Sequence, residues 1–516
     1  MTILAARSPP GGQMLELREW IAAARFEPKP WMLLGKGPSF SRRHEFPLSD
    51  YNLMSLNHVV RELKVNVAHI IDADVAETCA DHLLDHCDWL VMPRRPHVDF
   101  KPGDMLLEDC VERIPVLRTL DEQGRLVWYN AATADPVGDS PVIGVHFFSS
   151  EAALNILGHM GVRTVRSLGV DGGRRYSAAF SELESSTRLA NSQPSFDVQF
   201  AEIEEIVQRW EMDYAPMVEP LKIFVALDES QLVAARVLEF TIQEHASQPV
   251  RLVPMLDMPT PTPKDERNRP RTGFSFYRFL IPSLAGYRGR ALYLDADMQV
   301  FGDVSEIWNV PMDGKAILCT SQTEVPDEWK DTSWFKPGRQ LSVMLLDCSR
   351  LRWDVDEIVA GLDRGDYTYE QLMFDLCIVD PDEIADTLPP EWNHLEHFEA
   401  GETKLLHYTV VPTQPWKNDR NPLAELWTTS YRDAVRAGAV PREEVERLVR
   451  KRHVKWSLLE AFPEGARRSL ADVVLTQTSV VVQAIENRVP ILRRPAVQGV
   501  KRRIRRLVAG AASRNP

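Results

Sequence analysis

Residues 291–303 read Ala-Leu-Tyr-Leu-Asp-Ala-Asp-Met-Gln-Val-Phe-Gly-Asp, an apolar stretch that ends in two carboxylates, Asp295 and Asp297. A short apolar run of this kind predicts a buried β-strand. Because residues i and i+2 of a strand share a face, the two carboxylates can converge on one divalent cation, and Mn²⁺ and Mg²⁺ accept such oxygen ligands. An Asp-x-Asp triplet also occurs at ordinary strand-to-turn junctions, so the surrounding sequence has to decide between the two interpretations.

Further segments surround this pair in a fixed order along the chain. They are Leu221–Asp228, Tyr277–Pro282, Gln340–Asp347, Tyr369–Leu372 and Leu406–Trp416, the last reading Leu-His-Tyr-Thr-Val-Val-Pro-Thr-Gln-Pro-Trp. Together with the Asp pair they resemble glycosyltransferase family 8, the metal-dependent, retaining family that includes glycogenin and bacterial lipopolysaccharide galactosyltransferases. Several motifs in one order are far more specific than a single triplet. The resemblance implies an α/β, Rossmann-like GT-A fold for this part of the chain.

The resemblance also implies a role for each matched position. It places Mn²⁺ or Mg²⁺ on Asp295, Asp297 and His407. It places a UDP-sugar donor on Asp228, Tyr277, Arg278, Asp295, Gln414 and Lys417, with Asp228 at the uracil base. It places Gln340, Glu370 and Gln371 at the reacting carbon; Glu370 is a candidate nucleophile, whereas Gln371 is better suited to orient or stabilise. Transfer of a hexose with retention, to a glycan or lipid-linked acceptor in surface polysaccharide or lipopolysaccharide assembly, is therefore expected.

Five positions depart from the family pattern. Gln340 replaces an Asn, Ser342 and Val410 each replace a Gly, Leu372 replaces the second Asp of an Asp-Gln-Asp turn, and Gln414 replaces a Lys that meets the donor phosphates. Lys417 or Arg278 would have to supply the lost positive charge. These departures keep a second hypothesis open, in which the domain binds nucleotide sugars as a scaffold without catalysis.

The first 215 residues predict a separate Rossmann-like α/β domain, because short apolar strands alternate with helical patterns. Its turn Gly35-Lys36-Gly37-Pro38-Ser39, with Asn57 and Asp171 further on, resembles sialyltransferase family 42 and the related flagellin-modification and pterin-pyrophosphokinase-like proteins. The resemblance implies a nucleotide site on Gly35, Lys36, Gly37, Ser39, Asn57 and Asp171. Residues 172–220 lack the His that serves family 42 as general base. A second transferase using His58 or His146, a nucleotide-binding domain that positions the acceptor, and a purely structural domain all remain open.

Composition sets the limits of these interpretations. At 516 residues the chain exceeds what one core usually supports, and we expect domains at 1–215 and 219–460 followed by a tail at 461–516. A net charge of −14 argues against binding to nucleic acid. The chain shows neither an apolar run of membrane-spanning length nor a start typical of a signal peptide. We therefore expect a cytoplasmic enzyme, peripheral on the inner face of the cytoplasmic membrane.

The peripheral position is inferred from the end of the chain, because residues 488–516 contain no Asp or Glu. The closest-spaced cations in this stretch are Arg493, Arg494, Lys501, Arg502, Arg503, Arg505 and Arg506. Ile504, Leu507 and Val508 interleave with them at helical spacing, which predicts an interfacial helix on an anionic membrane surface. A disordered basic tail without a fixed partner is the alternative.

Overall fold

The computed structural model describes residues 14–136, 138, 140–270, 272–322 and 338–462. Within these residues the predicted α/β fold is confirmed: a parallel sheet forms from the first part of the chain and a mixed sheet from the second. The chain divides into two compact units, Met1–Trp456 and Ser457–Pro516, and both sheets belong to the first. The predicted basic helix at the end of the chain lies outside the described residues.

The first sheet contains nine strands within the described residues, and every pairing in it is parallel. The strands are β1 Leu15–Glu16, β2 Trp31–Leu34, β3 Asn52–Leu56, β4 Val65–His69, β5 Cys87–Pro93, β6 Leu126–Ala131, β7 Val142–Ile143, β8 Thr164–Leu168 and β9 Asp213–Pro216. Their order is β1-β6-β5-β4-β3-β2-β8-β9, with β7 beside β6. The chain thus runs outward from β2 in one direction through β3 and β4, and in the other direction to β8. This reversal creates a crevice at the carboxyl ends of β2 and β8.

Helices cover both faces of the first sheet. They are α1 Leu17–Ala23, α2 Ala73–Thr78, α3 Ala80–His86, α4 Leu107–Arg113, α5 Pro115–Glu122, α6 Ser149–His159, α7 Glu184–Thr187 and α8 Gln199–Arg209. One hydrophobic core joins the sheet to α2, α3, α4 and α5, and a second joins it to α6 and α8. Double coverage explains why strands such as β2 are apolar throughout instead of alternating.

The second part of the chain forms a six-stranded mixed sheet and a small three-stranded sheet within the described residues. The strands are β10 Leu221–Ala226, β11 Val250–Met255, β12 Arg290–Asp295, β13 Met298–Val300, β14 Ile317–Gln322, β15 Gly338–Asp347, β16 Ile384–Ala385, β17 His394–Leu395 and β18 Leu405–His407. The larger sheet has the order β11-β10-β12-β15-β14-β16, and the smaller has the order β13-β18-β17. In the larger sheet β10, β11 and β12 are parallel, and β15 runs antiparallel to its neighbours.

The helices of this part are α9 Leu232–His245, α10 Ile281–Leu284, α11 Ser305–Trp308, α12 Val355–Arg364, α13 Ala424–Arg436 and α14 Arg442–Lys451. Residues Gln371–Asp375 add a π-helical turn. Helix α9 supports the small sheet, because the Thr241 hydroxyl accepts a hydrogen bond of 3.2 Å from the backbone N–H of Val300. Among the described residues, no helix combines the length and the apolarity needed to span a bilayer.

The first part of the chain contacts the second through polar side chains of α9. The buried Arg174 guanidinium donates to Glu244 over 3.0 Å, and Gln243 Nε2 donates to Asp197 Oδ2 over 3.0 Å. Strand β9 ends at Pro216 and β10 begins at Leu221, which is where the sequence predicts the domain boundary. The division into independently folding domains stays a prediction.

Candidate active site

Two features of strand register assemble the candidate site. Strands β10 and β12 are parallel, with Ala226 opposite Asp295, so Asp228 and Asp295 leave the sheet at the same edge. Strand β13 pairs antiparallel with β18, with Met298 opposite His407. This pairing brings His407 next to Asp297, although 110 residues separate them in sequence.

The three predicted metal ligands form one cluster. Each of Asp295, Asp297 and His407 offers a ligand atom, and these atoms all lie within 4.8 Å of one another. His407 Nε2 is 3.1 Å from Asp297 Oδ1. Burial opposes a charge on His407, but the neighbouring carboxylates of Asp297 and Asp295 outweigh it and raise its pKa. Burial also raises the pKa of Asp295, although the Arg278 guanidinium opposes that rise.

Asn393 orients the imidazole of His407. Its Oδ1 lies 3.2 Å from His407 Nδ1, and its amide nitrogen donates to Thr320 Oγ1 over 3.0 Å and to Ser342 Oγ over 3.1 Å. Since the Asn393 amide nitrogen serves the two hydroxyls, its oxygen accepts from Nδ1–H, so Nε2 is the ring nitrogen that faces the carboxylates. A partner of this kind fixes the tautomer of a metal-binding histidine. Ser342, one of the departures from the family pattern, thus has a structural role.

Arg278 and Tyr293 support Asp295 from the other side. The Tyr293 hydroxyl donates to Asp295 Oδ1 over 2.5 Å, and Arg278 NH2 lies 3.8 Å from the same oxygen. The guanidinium stacks over the Tyr293 ring at 4.9 Å and donates to the Leu341 carbonyl oxygen over 3.1 Å. Arg278 therefore faces the predicted site, with its charge directed at Asp295.

Gln414 and Lys417 occupy different positions relative to Asp297. Gln414 is fully buried, and its Nε2 donates to Asp297 Oδ2 over 2.9 Å and to the Tyr408 carbonyl oxygen over 3.0 Å. The Gln414 amide thus holds the Asp297 carboxylate in place. This contact differs from the phosphate contact expected from the family pattern. Lys417 is half-buried, and burial lowers its pKa while the charges of Asp297 and Asp228 oppose that shift. Lys417 is therefore the cation that lies near both carboxylates.

Asp228 follows β10 at this edge, and Tyr277 begins a 3₁₀ turn that packs on the core of the second part of the chain. Asp228 caps the short 3₁₀ turn that follows β10, accepting from Ser230 N over 2.8 Å and from its hydroxyl over 2.6 Å. Tyr277 is buried, and its pKa is raised by burial and then by the charges of Asp257 and Asp228. Both residues are predicted to bind the donor, and the charge of Asp228 acts on Tyr277.

The residues expected at the reacting carbon are distributed differently. Gln340 lies in β15 opposite Thr320 and next to Leu341, the acceptor of Arg278. Gln371 and Glu370 are exposed. Gln371 Oε1 accepts from Thr368 N over 2.8 Å while Thr368 Oγ1 accepts from Gln371 N over 3.2 Å, a reciprocal cap that the pattern Thr-x-x-Gln predicts. Leu372, which replaces a carboxylate of the family pattern, is fully buried in the hydrophobic core.

The expected N-terminal nucleotide residues fall into two groups. Ser39 and Asp171 bind each other: Ser39 N donates to Asp171 Oδ2 over 2.7 Å and Ser39 Oγ donates to Oδ1 over 2.8 Å. Gly35 and Gly37 allow this close approach, because their backbone N–H groups donate to Leu168 O and Gly169 O and a Cβ on Gly37 would stand 2.6 Å from Asp171 Oδ2. Lys36 and Asn57 line a cavity, together with Gly35, Gly37 and Asp171.

The two histidines considered as bases in this domain also differ. His58 is buried and lines the same cavity. His146 also lines that cavity, but its side chain is 60% exposed and its Nδ1 lies 2.9 Å from Glu202 Oε2.

Sequence reasoning missed Asn393 and Tyr293. The alternation of side chains along β12 places Tyr293 and Asp295 on one face, so the same argument that paired the carboxylates could have found the tyrosine. Asn393 had no comparable local pattern, because the pairing of β17 with β18 brings it to His407.

The comparison with protein families agrees with the sequence analysis. The model of the family described as Glycosyl transferase family 8 matches residues 219–342, so the predicted resemblance is confirmed for this segment. Protein CDI of Arabidopsis thaliana is 30% identical over 113 residues, which make up 21% of this chain and 44% of that protein. The match therefore spans less than half the length of this curated relative.

Three solved structures illustrate the similarity to known folds. They are the galactosyltransferase LgtC in complex with donor and acceptor sugar analogues, the bifunctional glycosyltransferase WbbM, and the glycosyltransferase GlyE of Streptococcus pneumoniae TIGR4. LgtC is 13% identical, with 44% of this chain and 100% of LgtC covered and a TM-score of 0.31. WbbM is 13% identical, with 50% and 59% covered and a TM-score of 0.31. GlyE is 14% identical, with 48% and 66% covered and a TM-score of 0.31.

Proposed function

We propose, from the family 8 glycosyltransferase segment at residues 219–342, that this protein is a metal-dependent glycosyltransferase that moves a hexose from a UDP-sugar to a glycan or lipid-linked acceptor, with retention. The observation that carries the proposal is the convergence of Asp295, Asp297 and His407 within 4.8 Å. The match ends at residue 342, so His407 and its partner Asn393 are evidence independent of it.

The chemistry of the three side chains fits Mn²⁺. Carboxylate oxygens suit Mn²⁺ and Mg²⁺, and a neutral imidazole nitrogen is tolerated better by Mn²⁺ than by Mg²⁺. His407 Nε2 is free to coordinate because Nδ1 is held by Asn393. When bound, the cation offsets the charge that develops on the departing diphosphate.

The remaining residues bind and orient the donor. Asp228, which leaves the sheet at the same edge as Asp295, binds the uracil base, and Tyr277 also contacts the donor. Lys417 supplies the cation for the phosphates in place of the lysine that Gln414 replaces, and Gln414 holds Asp297 in position. Arg278 holds Asp295. Gln340 lies on the same strand as Leu341, whose carbonyl oxygen accepts from Arg278. Glu370 and Gln371 complete the proposed catalytic residues.

Asp297→Asn tests the proposal. The substitution preserves the size of the side chain and removes one charged oxygen ligand. Hydrolysis of UDP-glucose and UDP-galactose by the full chain, measured with Mn²⁺, should fall by a factor of about 100 or more, since metal activation contributes several kcal/mol. Asp313→Asn is the matched control, because Asp313 is exposed and its φ of 46° suits asparagine.

The same measurements separate the hypotheses. Loss of hydrolysis in EDTA and in Asp297→Asn, with Asp313→Asn at the wild-type rate, supports a metal-dependent enzyme. Binding of UDP-sugars without any hydrolysis or transfer would favour the non-catalytic scaffold. Wild-type rates in EDTA would refute the metal role.

We also propose a peripheral position on the inner face of the cytoplasmic membrane, from the seven clustered cations between Arg493 and Arg506. Each is attracted to an anionic surface by about 1 kcal/mol at low salt. The full chain should therefore sediment with phosphatidylserine vesicles and not with phosphatidylcholine vesicles. Salt at about 0.5 M, which is enough to screen such charges, should release the protein from the vesicles. Deletion of residues 488–516 should release it as well. Equal sedimentation with both lipids would contradict the proposal.

A further inference from the structure

One carboxylate joins the two ends of the stretch of chain that carries Gln414 and Lys417. Glu396 Oε1 accepts a hydrogen bond of 2.8 Å from the backbone N–H of Val410. Its Oε2 accepts a second hydrogen bond, also of 2.8 Å, from Asn421 Nδ2. These two contacts form a carboxylate bridge between Val410 and Asn421. Both Gln414 and Lys417 lie between the bridged ends, so Glu396 closes this stretch into a loop.

The carboxylate bridge connects two fixed parts of the fold across residues 410–421. Asn421 is 4% exposed, and its Oδ1 accepts from Leu423 N over 2.8 Å, so the amide cannot reverse its orientation without losing that bond. Leu423 directly precedes helix α13. Glu396 is tied to strand β18, because its backbone N–H donates to the His407 carbonyl oxygen over 3.1 Å. The bridge therefore links the strand of the proposed metal site to the start of α13.

The backbone of Glu396 is in the left-handed region, with a φ of 49°. Glutamate rarely adopts this conformation because its Cβ crowds the neighbouring carbonyl group, and such positions persist where the surrounding structure requires them. Glycine and asparagine suit this backbone better. Glycine offers no side chain, however, and asparagine is shorter and has a single acceptor oxygen. The contacts of the carboxylate, and not the backbone conformation, therefore explain why a glutamate stands here.

The position of the Lys417 ammonium depends on where this loop lies. Lys417 is half-buried, and within the part of the chain that the structure describes its Nζ forms no hydrogen bond or ion pair. Its main chain is held instead: Lys417 N donates to Gln414 O over 2.8 Å, and Trp416 O accepts from Lys455 N over 2.8 Å. Because no side chain anchors the ammonium, the placement of residues 410–421 decides where this charge is presented.

We propose that Glu396 is a positioning residue of the donor site, which holds residues 410–421 so that Lys417 meets the diphosphate of the nucleotide sugar. This inference rests on the proposed function, since it requires a donor at Lys417. The carboxylate oxygens of Glu396 bind Val410 and Asn421, so Glu396 acts on the donor through Lys417 and not on the reacting atoms. Its loss weakens donor binding and leaves the chemical step intact.

Hydrogen exchange of the full chain without donor tests the carboxylate bridge by itself. Glu396→Gln keeps the size of the side chain but leaves one acceptor oxygen for two donors. Peptides that cover residues 410–421 should therefore exchange at least about tenfold faster than in the wild type. Glu211→Gln is the matched control, because Glu211 has the same left-handed backbone, with a φ of 50°, and an exposed side chain. It should leave the exchange of this loop unchanged.

Hydrolysis of UDP-glucose and UDP-galactose with Mn²⁺ tests the connection to the donor. Glu396→Gln should raise KM by about threefold to tenfold, with kcat within about twofold of the wild type, because donor binding is weakened without a change in the chemical step. In a Lys417→Met background the same change should alter KM by less than about twofold, because the effect passes through Lys417.

Glu396→Asn is a second variant that separates the bridge from the backbone. Asparagine tolerates the left-handed conformation but is too short to reach both partners. It should therefore raise KM as much as Glu396→Gln does. Circular dichroism and melting temperature establish that each variant is folded.

The outcomes distinguish failure of this proposal from failure of the proposed function. Unchanged hydrogen exchange in a folded Glu396→Gln protein overturns the bridge. Faster exchange with an unchanged KM overturns the connection to the donor, and so does an equal rise of KM in the Lys417→Met background. A wild-type chain that neither binds nor hydrolyses a UDP-sugar refutes the proposed function and, with it, this role of Glu396. That last failure is seen in the wild type and the others only in the variants.

Discussion

Replacing Asn393 with leucine removes the group that orients His407 while keeping the shape of the side chain. Asn393 is 2% exposed. The change deletes the acceptor of His407 Nδ1 at 3.2 Å and the donor to the hydroxyls of Thr320 and Ser342 at 3.0 and 3.1 Å. The imidazole then loses the contact that directs Nε2 toward Asp297.

The magnitude follows from these contacts. Loss of such an outer partner lowers metal affinity by about 10- to 100-fold, equivalent to about 1.4–2.7 kcal/mol of binding free energy. Three hydrogen bonds are also lost, and at about 1 kcal/mol each the free energy of unfolding should fall by about 1–3 kcal/mol. The protein should remain folded, because a loss of this size is smaller than the stability of about 5–15 kcal/mol that is usual for a folded domain.

Titration of Mn²⁺ into the full chain, with urea unfolding in parallel, measures both effects. Asn393→Asp keeps an acceptor for Nδ1–H and should retain Mn²⁺ affinity within about threefold of wild type, whereas Asn393→Leu should not. Asn309→Leu makes the same change at an exposed position and controls for it. A folded Asn393→Leu protein with wild-type Mn²⁺ affinity would refute the orienting role. Equal weakening by leucine and aspartate would show that the exact shape of Asn393 matters more than its acceptor.

Three other changes have calculable outcomes. Burial lowers the pKa of His69 from 6.5 to about 3, so between pH 6.5 and about 5 only the unfolded chain takes up this proton, and the free energy of unfolding falls by about 2 kcal/mol. In urea unfolding, the fall over this pH range should be about 2 kcal/mol smaller for His69→Gln than for the wild type. An equal fall in both proteins would count against the assignment. Gly37→Ala places Cβ 2.6 Å from Asp171 Oδ2 and 2.9 Å from Gly169 O, so the free energy of unfolding should fall by about 1–3 kcal/mol. Gly103→Ala, where Cβ would meet nothing within 4 Å, should leave the melting temperature unchanged. Similar melting temperatures for the two variants would be incompatible with the close approach at Gly37. Lys417→Met should raise the KM for a UDP-sugar about tenfold and leave Mn²⁺ affinity intact, since a charged hydrogen bond to phosphate contributes about 1.5–3 kcal/mol; an unchanged KM would remove Lys417 from the donor site.

The local sequence was sufficient for the elements that depend on neighbouring residues. The apolar run that begins at Ala291 predicted a buried strand with Asp295 and Asp297 on one face. The structure has β12 at Arg290–Asp295, and Asp297 lies in the bend between β12 and β13. The motifs around it predicted a resemblance to glycosyltransferase family 8, which the match to residues 219–342 confirms for that segment. Such patterns are readable because side-chain direction repeats every two residues in a strand and every 3.6 residues in a helix.

The tertiary structure decided which polar groups satisfy one another. Gln414 was expected at the phosphates and instead donates to Asp297, while Gln371 caps its own turn. Ser39 and Asp171 were expected to meet a nucleotide, and in the structure they bind each other across 132 residues of sequence. These pairings depend on the register between strands that are distant along the chain, and no local periodicity encodes that register. A buried polar group without a hydrogen-bond partner is costly, so each of these groups must find its partner within the fold or in a ligand.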